Sequence, residues 1–438
     1  MLSPFLVFMK FEEIVSIYRS ELKPDLYLVL NPIVPSYIVT NINGVLLLKS
    51  YSENKSFSSI TDEFIELSGA NLDKNKCMSF LENAKQAHLF DCRPYAEEYK
   101  VRDLYSIYLN MTKECNLKCT YCYAEERIES NYNYLTYEDY TRLIDELPGI
   151  TSRAVDISFT GGEPLLNPIT KNVAKYAKSH NCYTRLLTNG TLINKNNISE
   201  LVNSFDFFKI SLDGSSADKH NFYRGKNSYE RTIAAIDLLK EHNANFLLAM
   251  VVTKDNMYDV PAMSEKWGNL ITFQPLFPLG KAKSSSSQNL TGSEYFKALT
   301  LDSNVIPYSE INTIIESQRA KKSLFKCAIG DGEVSISCSG DVYPCQLLHK
   351  SEFLLGNVHD SSLHDLYYSE KNMKFKSHTV DKIQGCKTCD FRYLCSGSCQ
   401  ARHFAETGSI DKAGEFCEYE KKGIVEGLIA SIDTKVPI

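Results

Sequence analysis

The sequence predicts an α/β protein: a parallel sheet fed by repeated strand–helix units, with a small mixed unit before it and a cysteine-rich unit after it. Three observations predict this. Apolar runs with strand character fall at 105–111, 154–160, 183–188, 207–212, 246–253 and 270–277. Amphipathic helices separate most of them, as at 137–147, 169–179 and 229–242, where Ile233, Ile236 and Leu239 recur near helical spacing. Beyond about Ser323 cysteines become dense and periodicity fades, as in a small domain held by metals. Strands that alternate with helices pair in parallel, because a parallel connection needs a crossover of that length.

In chain order, the first hundred residues carry short strands at 26–30 and 37–40, with Asn31-Pro32 as the break between them. Helical stretches follow at 45–51, 59–67 and 72–88, the last with Asp73 as its cap. The six strand–helix units come next. The stretch from Gly280 to Gly292 contains Ser284, Ser285, Ser286 and Ser287 and reads as a flexible connection, either a lid or a loop at the end of the sheet. Three domains are expected: 1–100, 101–322 and 323–438, in keeping with a length of 438 residues.

Composition narrows the function. A net charge of −6 argues against a nucleic-acid binder. No apolar run approaches the ~18 residues of a membrane span. Pro4-Phe5-Leu6-Val7-Phe8-Met9 is apolar but short, and Glu12 and Glu13 follow it, so a signal peptide is not expected. Fourteen cysteines with no export signal point to metal ligation in a reducing cytoplasm, not to disulfides.

The cysteines are not scattered. Cys115, Cys119 and Cys122 stand in one short loop as C-x3-C-x2-C. Three thiolates hold three irons of a [4Fe–4S] cube and leave the fourth iron open to a small molecule. A structural zinc site is the alternative, but it wants four ligands, and no His or fourth Cys lies in this loop. The loop follows strand one. Gly161-Gly162-Glu163-Pro164 follows strand two, Thr188-Asn189-Gly190 follows strand three, and Ser211-Leu212-Asp213-Gly214 closes strand four. In a parallel sheet these all lie on one rim, at the C-terminal ends of the strands, where such folds carry their chemistry.

The cysteine loop followed by Gly-Gly-Glu-Pro resembles the radical S-adenosylmethionine (SAM) superfamily. The resemblance implies a partial (β/α)6 barrel and a SAM molecule chelated by the open iron. One-electron reduction there yields a 5′-deoxyadenosyl radical. It also implies residue roles. Cys115, Cys119 and Cys122 ligate the catalytic cluster, and Tyr121 lies near the adenine. Gly161 and Gly162 let the backbone approach the ligand, Glu163 takes the SAM ammonium, and Pro164 fixes the turn. Ser211 offers a polar contact. Arg231 could meet the SAM carboxylate, although an exposed helix arginine is the ordinary reading. Thr188-Asn189-Gly190 either touches the ligand or only turns the chain, and Asp213 is expected to shape its turn.

Near the C-terminus, Cys327 is followed by Gly340-Asp341-Val342-Tyr343-Pro344-Cys345, then Cys386-x2-Cys389-x5-Cys395-x3-Cys399, and finally Cys417. This is similar to the seven-cysteine SPASM extension of peptide- and protein-modifying radical SAM enzymes. The resemblance assigns Cys386, Cys389, Cys395 and Cys417 to an outer auxiliary [4Fe–4S] cluster and Cys327, Cys345 and Cys399 to an inner one. Cys338 lies outside the shared pattern; it is either an eighth thiolate or a core cysteine, with the inner cluster then open or held by a non-cysteine ligand. A zinc ribbon is the alternative for Cys386 to Cys399. Cys77, Cys92 and Cys182 match no motif and are expected as buried hydrophobes.

Together these features resemble the maturases of ribosomally made peptides. The N-terminal order of strands and helices resembles the small winged-helix-like domain that recognises leader peptides. The family implies a precursor-peptide substrate, an electron donor such as flavodoxin or ferredoxin, and a thioether or carbon–carbon crosslink as product. One alternative is anaerobic sulfatase maturation, a formylglycine-forming oxidation. That family carries an Asp after the second auxiliary cysteine, where this chain has Gln346, and starts its cluster motif nearer the N-terminus. Another alternative is a non-catalytic Fe–S peptide-binding scaffold, against which the intact cysteine loop and Gly-Gly-Glu-Pro argue.

Overall fold

A computed structural model describes residues 14–34, 36–51, 55–69, 72–92, 103–124, 133–283, 288–301 and 326–430. The apolar stretch at 4–9 and Ser284 to Ser287 lie outside the described residues.

Residues 16–86 form a mixed unit. Strands β1 (Ser16–Arg19), β2 (Tyr27–Asn31) and β3 (Ser36–Thr40) make an antiparallel sheet in that order. Helices Ile42–Lys49, Phe57–Ser68 and Lys74–Gln86 follow, each opened by a polar cap: Asn41, Ser56 and Asp73. The side chains of β2 alternate, so the sheet has two working faces. Val29 packs into a core with Val45, Leu47, Leu48, Ile60, Phe64 and Phe80. Leu28 and Leu30, with Val39, pack instead on Phe391, Ile424 and Leu428 of the C-terminal part. Burying each such aliphatic side chain is worth about 1.5–3 kcal/mol. Glu426 reinforces this contact by accepting from the Ser20 hydroxyl and the Glu21 amide. Tyr18 and Ser16 hydroxyls both donate to Asp390 at 2.6 Å. The N-terminal unit thus packs against the cysteine-rich end of the chain.

The central sheet is built from β4 (Ser106–Thr112), β5 (Asp156–Gly161), β6 (Tyr183–Thr188), β7 (Phe207–Ser211), β8 (Phe246–Val252) and β9 (Ile271–Pro275). All five neighbouring pairs are parallel and follow chain order, the arrangement of a partial (β/α)6 barrel. Helices Tyr137–Asp145, Thr170–Ser179, Ile198–Ser204, Ala217–Arg224, Ser228–Glu241 and Val260–Trp267 connect them. The main core lies between sheet and helices and contains Leu109, Phe159, Leu186, Ile210, Leu248 and Leu239.

Beyond residue 326, where periodicity fades, the structure still places strands. β10 (Glu333–Ile336) pairs parallel with β4, and β11 (Asp341–Tyr343) and β12 (Gly356–Asn357) extend the sheet antiparallel. A helix, Cys417–Ala430, runs under the N-terminal unit. Among the described residues, no helix is long and apolar enough to cross a membrane.

Candidate functional site

The four rim motifs meet at the C-terminal ends of β4 to β7. The β4–β5 register slips between Asn110 and Thr112, a bulge that turns the chain out of the sheet three residues before Cys115. The Gly161–Gly162 backbone lies against this exit. The Gly162 amide donates to the Thr112 carbonyl at 2.7 Å, and that of Glu163 to the Glu114 carbonyl at 2.8 Å. Gly161 has φ +129°, and a Cβ on Gly162 would collide with the Glu114 carbonyl. The close approach that the two glycines permit is therefore to the stem of the cysteine loop itself.

Glu163 is fully buried. It accepts from the Thr188 hydroxyl at 2.7 Å, the Asn189 amide at 3.0 Å and the Leu165 amide at 3.2 Å. Burial pushes its carboxyl up from the usual range, and these donors pull it back. Asn189 in turn donates to the Asn116 carbonyl oxygen of its side chain at 3.0 Å and lies 4.0 Å from the Cys115 sulfur. Asn116 reaches Thr191 at 2.8 Å. The Thr188-Asn189-Gly190 turn therefore ties Glu163 to the cysteine loop. Pro164 opens a short turn behind Glu163. Ser211 ends β7 on the same rim. Arg231 is exposed on its helix and donates to the Thr191 carbonyl at 2.8 Å.

The far side of the loop rests on a buried ionic cluster that sequence reading missed. Tyr121 is buried, and its hydroxyl donates to Asp213. Arg224 Nε donates to the same carboxylate, as does the Val251 amide at 2.8 Å. The Arg224 guanidinium lies 5.9 Å from the Tyr121 ring centre. His220 Nδ1 accepts from the Asp213 amide at 3.1 Å. Asp213 thus does more than shape its turn. No spacing rule joins Tyr121, Asp213 and Arg224; only the fold does.

None of the fourteen cysteines is joined in a disulfide. Ten of them fall into three neighbourhoods. Cys115, Cys119 and Cys122 interact electrostatically with one another. Cys327, Cys345 and Cys399 do so too. So do Cys386, Cys389, Cys395 and Cys417. Burial pushes Cys386 up to about 11 and Cys399 and Cys417 up to about 12. These thiols are therefore protonated until a metal displaces the proton. Among the described residues, no three His, Cys, Asp or Glu side chains converge on a single-ion position. Cys338 stands apart from the three groups: it is fully buried and interacts with Tyr134. Cys77 and Cys182 are buried and Cys92 half-buried.

Two observations test the fit of iron–sulfur clusters. The four thiols Cys386, Cys389, Cys395 and Cys417 line a cavity of about 210 Å³. Cys327, Cys345 and Cys399 are close enough to interact electrostatically, and each keeps partly accessible surface. Arg402 braces this inner group: it is buried between Phe277 and Phe416, 4.2 and 4.0 Å from their ring centres, and donates to the Leu276 carbonyl at 2.9 Å.

Between the inner thiols and the rim lies a polar network. Gln346 accepts from the Ser335 hydroxyl at 2.9 Å and from Asn110 at 3.4 Å, and donates to the Tyr123 hydroxyl at 3.1 Å. Ser335 also meets His349 Nε2 at 2.8 Å.

Comparison with known proteins accords with this geometry. Residues 109–266 match the radical SAM superfamily, and residues 327–390 match SPASM, an iron–sulfur cluster-binding domain. The chain is 28% identical to an AdoMet-dependent heme synthase of Oleidesulfovibrio alaskensis, over 71% of this chain and 86% of that protein. It is also 28% identical to the antilisterial bacteriocin subtilosin biosynthesis protein AlbA of Bacillus subtilis, over 65% of this chain and 62% of AlbA. Among solved structures, Streptococcus suis SuiB bound to precursor peptide SuiA superposes with a TM-score of 0.56. That match is 15% identical, covers 90% of this chain and 98% of SuiB, and shows likeness of fold. The cofactors of these domains are SAM and iron–sulfur clusters, and the chain is an enzyme that carries a radical SAM domain and a C-terminal SPASM domain.

Proposed function

We propose that this enzyme modifies a ribosomally made precursor peptide, forming a thioether or carbon–carbon crosslink. In this reading Cys115, Cys119 and Cys122 hold the SAM-binding [4Fe–4S] cluster. Cys327, Cys345 and Cys399 hold the inner auxiliary cluster, and Cys386, Cys389, Cys395 and Cys417 the outer one. Tyr121, Gly161, Gly162, Glu163, Pro164 and Ser211 form the wall against which SAM sits, and Arg231 lies at its margin. When bound and reduced by one electron, the cluster and SAM supply a 5′-deoxyadenosyl radical able to take hydrogen from an unactivated carbon.

The chain's own residues do the rest. The Asp213–Arg224–Tyr121 cluster holds the cysteine loop in place, because its buried charges are satisfied only in this arrangement. Glu163 and Asn189 fix the other side of the loop. Ser335, Gln346 and Tyr123 form a neutral hydrogen-bonded link between the neighbourhood of Cys345 and the cysteine loop.

One observation carries the peptide reading: a three-stranded sheet with β3 at its edge packs on the C-terminal helix. An edge strand offers unpaired main-chain groups to an extended peptide, and side-chain pockets add specificity. AlbA's name and the SuiA peptide bound to SuiB support the same substrate class. Formylglycine formation is less well served. The Gln346 amide, held at both ends, cannot accept a proton as a carboxylate would. Flavodoxin or ferredoxin is the expected source of electrons.

The test is anaerobic co-expression with any short open reading frame found beside the gene, read by mass spectrometry. A crosslinked product lighter by two hydrogens supports the reading. An unmodified peptide, with turnover of a tetrapyrrole instead, moves the assignment to the chemistry named for the heme-synthase relative.

A further inference from the structure

Three thiolates leave one iron of the inner cube without a protein ligand. The sequence offers Cys338 as a fourth thiolate, but the fold puts it out of reach. β10 and β11 form a hairpin with Ser335 opposite Tyr343 and Ile336 opposite Val342. Cys338 sits in the turn that closes this hairpin, with its carbonyl bonded to the Leu135 amide at 2.7 Å. Cys345 lies past the open end. The separation along the strands is on the order of 15 Å at ~3.3 Å per residue.

The same register brings a different residue to Cys345. Carried two residues further, it sets Glu333 opposite Cys345. The Gln346 amide, next to Cys345, donates to Glu333 Oε1 at 3.4 Å. The Glu333 and Cys345 side chains are within hydrogen-bonding reach of each other. The Glu333 backbone is held from the other side as well: its amide donates to the Ala328 carbonyl at 3.1 Å, one residue from Cys327. Glu333 therefore stands between two of the three inner cysteines. Its carboxylate is desolvated by burial and lies within electrostatic reach of both Cys327 and Cys345. Burial makes an unpaired carboxylate costly there, and a cation would remove that cost.

We propose that Glu333 is the fourth protein ligand of the inner auxiliary cluster, its carboxylate oxygen on the iron that Cys327, Cys345 and Cys399 leave free. The inference rests on the assignment of those three cysteines to a [4Fe–4S] cluster. The bond is a coordinate one: Glu333 gives up its proton to solvent and donates an oxygen lone pair to iron, with no change of oxidation state. A carboxylate carries the same formal charge as a thiolate but donates less electron density to iron, and non-thiolate ligation raises reduction potential.

The experiment uses the full chain with Cys115, Cys119 and Cys122 replaced by Ala, which removes the cluster that is open by design. Reconstituted anaerobically, this background should hold about eight irons in two cubes. Mössbauer spectra should show one oxygen-ligated iron site, and cyanide should leave the reduced electron paramagnetic resonance signals unchanged. Glu333→Ala and the isosteric Glu333→Gln should lose that site and become sensitive to cyanide. Glu333→Cys should restore insensitivity and shift the inner potential downward. If the parent background already responds to cyanide as fully as Glu333→Ala does, or all four spectra coincide, Glu333 is not a ligand. Replacing Cys327, Cys345 and Cys399 by Ala tests the underlying assignment separately: retention of all eight irons would remove the cluster itself, whatever Glu333 does.

Discussion

Replacing Asp213 by Ala tests how the cysteine loop is held. Asp213 is fully buried and satisfies three donors: the Tyr121 hydroxyl, Arg224 Nε and the Val251 amide. Without it Arg224, itself only 9% exposed, is left as an uncompensated buried cation 5.9 Å from the ring centre of Tyr121 on the loop. Breaking a buried pair in this way costs about 3–5 kcal/mol. Replacing Arg224 by Met as well removes the stranded charge. The double variant should then lose only about 1–3 kcal/mol, for the unsatisfied Tyr121 hydroxyl and Val251 amide. In a chain of several units a global unfolding midpoint is a poor readout. Hydrogen exchange resolved to residues 115–123 and 207–224 reports the local opening free energy instead. At about 1.4 kcal/mol per decade, Asp213→Ala should speed exchange there by roughly 10²–10³-fold or more, and the double variant by clearly less. Exchange within about threefold of the parent for Asp213→Ala, or faster exchange in the double variant than in the single, would refute the reasoning.

Other perturbations have equally definite outcomes. His220 is buried, with Asp213 and Arg224 as its charged neighbours and the Tyr229 ring 5.8 Å away. Burial depresses its imidazole to about 4, so it is neutral in the fold while an unfolded chain protonates near 6.5. Its contribution is therefore complete above pH 6.5 and lost as pH falls toward 4, by about 3 kcal/mol in all; His220→Asn, which keeps an acceptor for the Asp213 amide, should flatten exchange at 207–224 across that window. Replacing Cys386 and Cys389 by Ala should remove about four irons and stop product formation while deoxyadenosine formation survives. Unchanged product yield after that iron is lost would rule out an essential auxiliary role. Cys338→Ala should leave the iron content and cluster spectra as they are, with only a modest loss of stability; a change in the inner cluster's spectrum would bring Cys338 into its ligand set.

The strands of the central sheet were legible because each carries a short apolar-rich run with a buried face, as Leu186 shows in β6 and Phe208 and Ile210 in β7. The run at 105–111 is β4, Ser106–Thr112, and that at 246–253 is β8, Phe246–Val252. Asp73 caps the helix it was expected to cap. β1 escaped notice because Ser16–Arg19 mixes polar and apolar residues and owes its conformation to pairing with β2. β10 to β12 escaped because two to four residues that include Glu333, Asp341, Gly356 and Asn357 show no periodicity; β4 supplies the template. The cysteine groups were legible because thiol spacing is local. Asp213 and Arg224 were not, because their meeting with Tyr121 spans 92 residues of chain and depends on β7 and its following helix reaching the same rim as β4. Glu333 was hidden for the same reason: its relation to Cys345 is a register, not a motif.

The central claim is that Cys115, Cys119 and Cys122 hold the cluster at which SAM is cleaved. It is tested most directly by incubating the anaerobically reconstituted protein with SAM and a strong reductant, then measuring 5′-deoxyadenosine beside the iron content. The parent chain should carry about eleven to twelve irons and release deoxyadenosine. With all three cysteines replaced by Ala it should carry about four fewer and release none. Deoxyadenosine formation that persists in the triple variant would contradict the account.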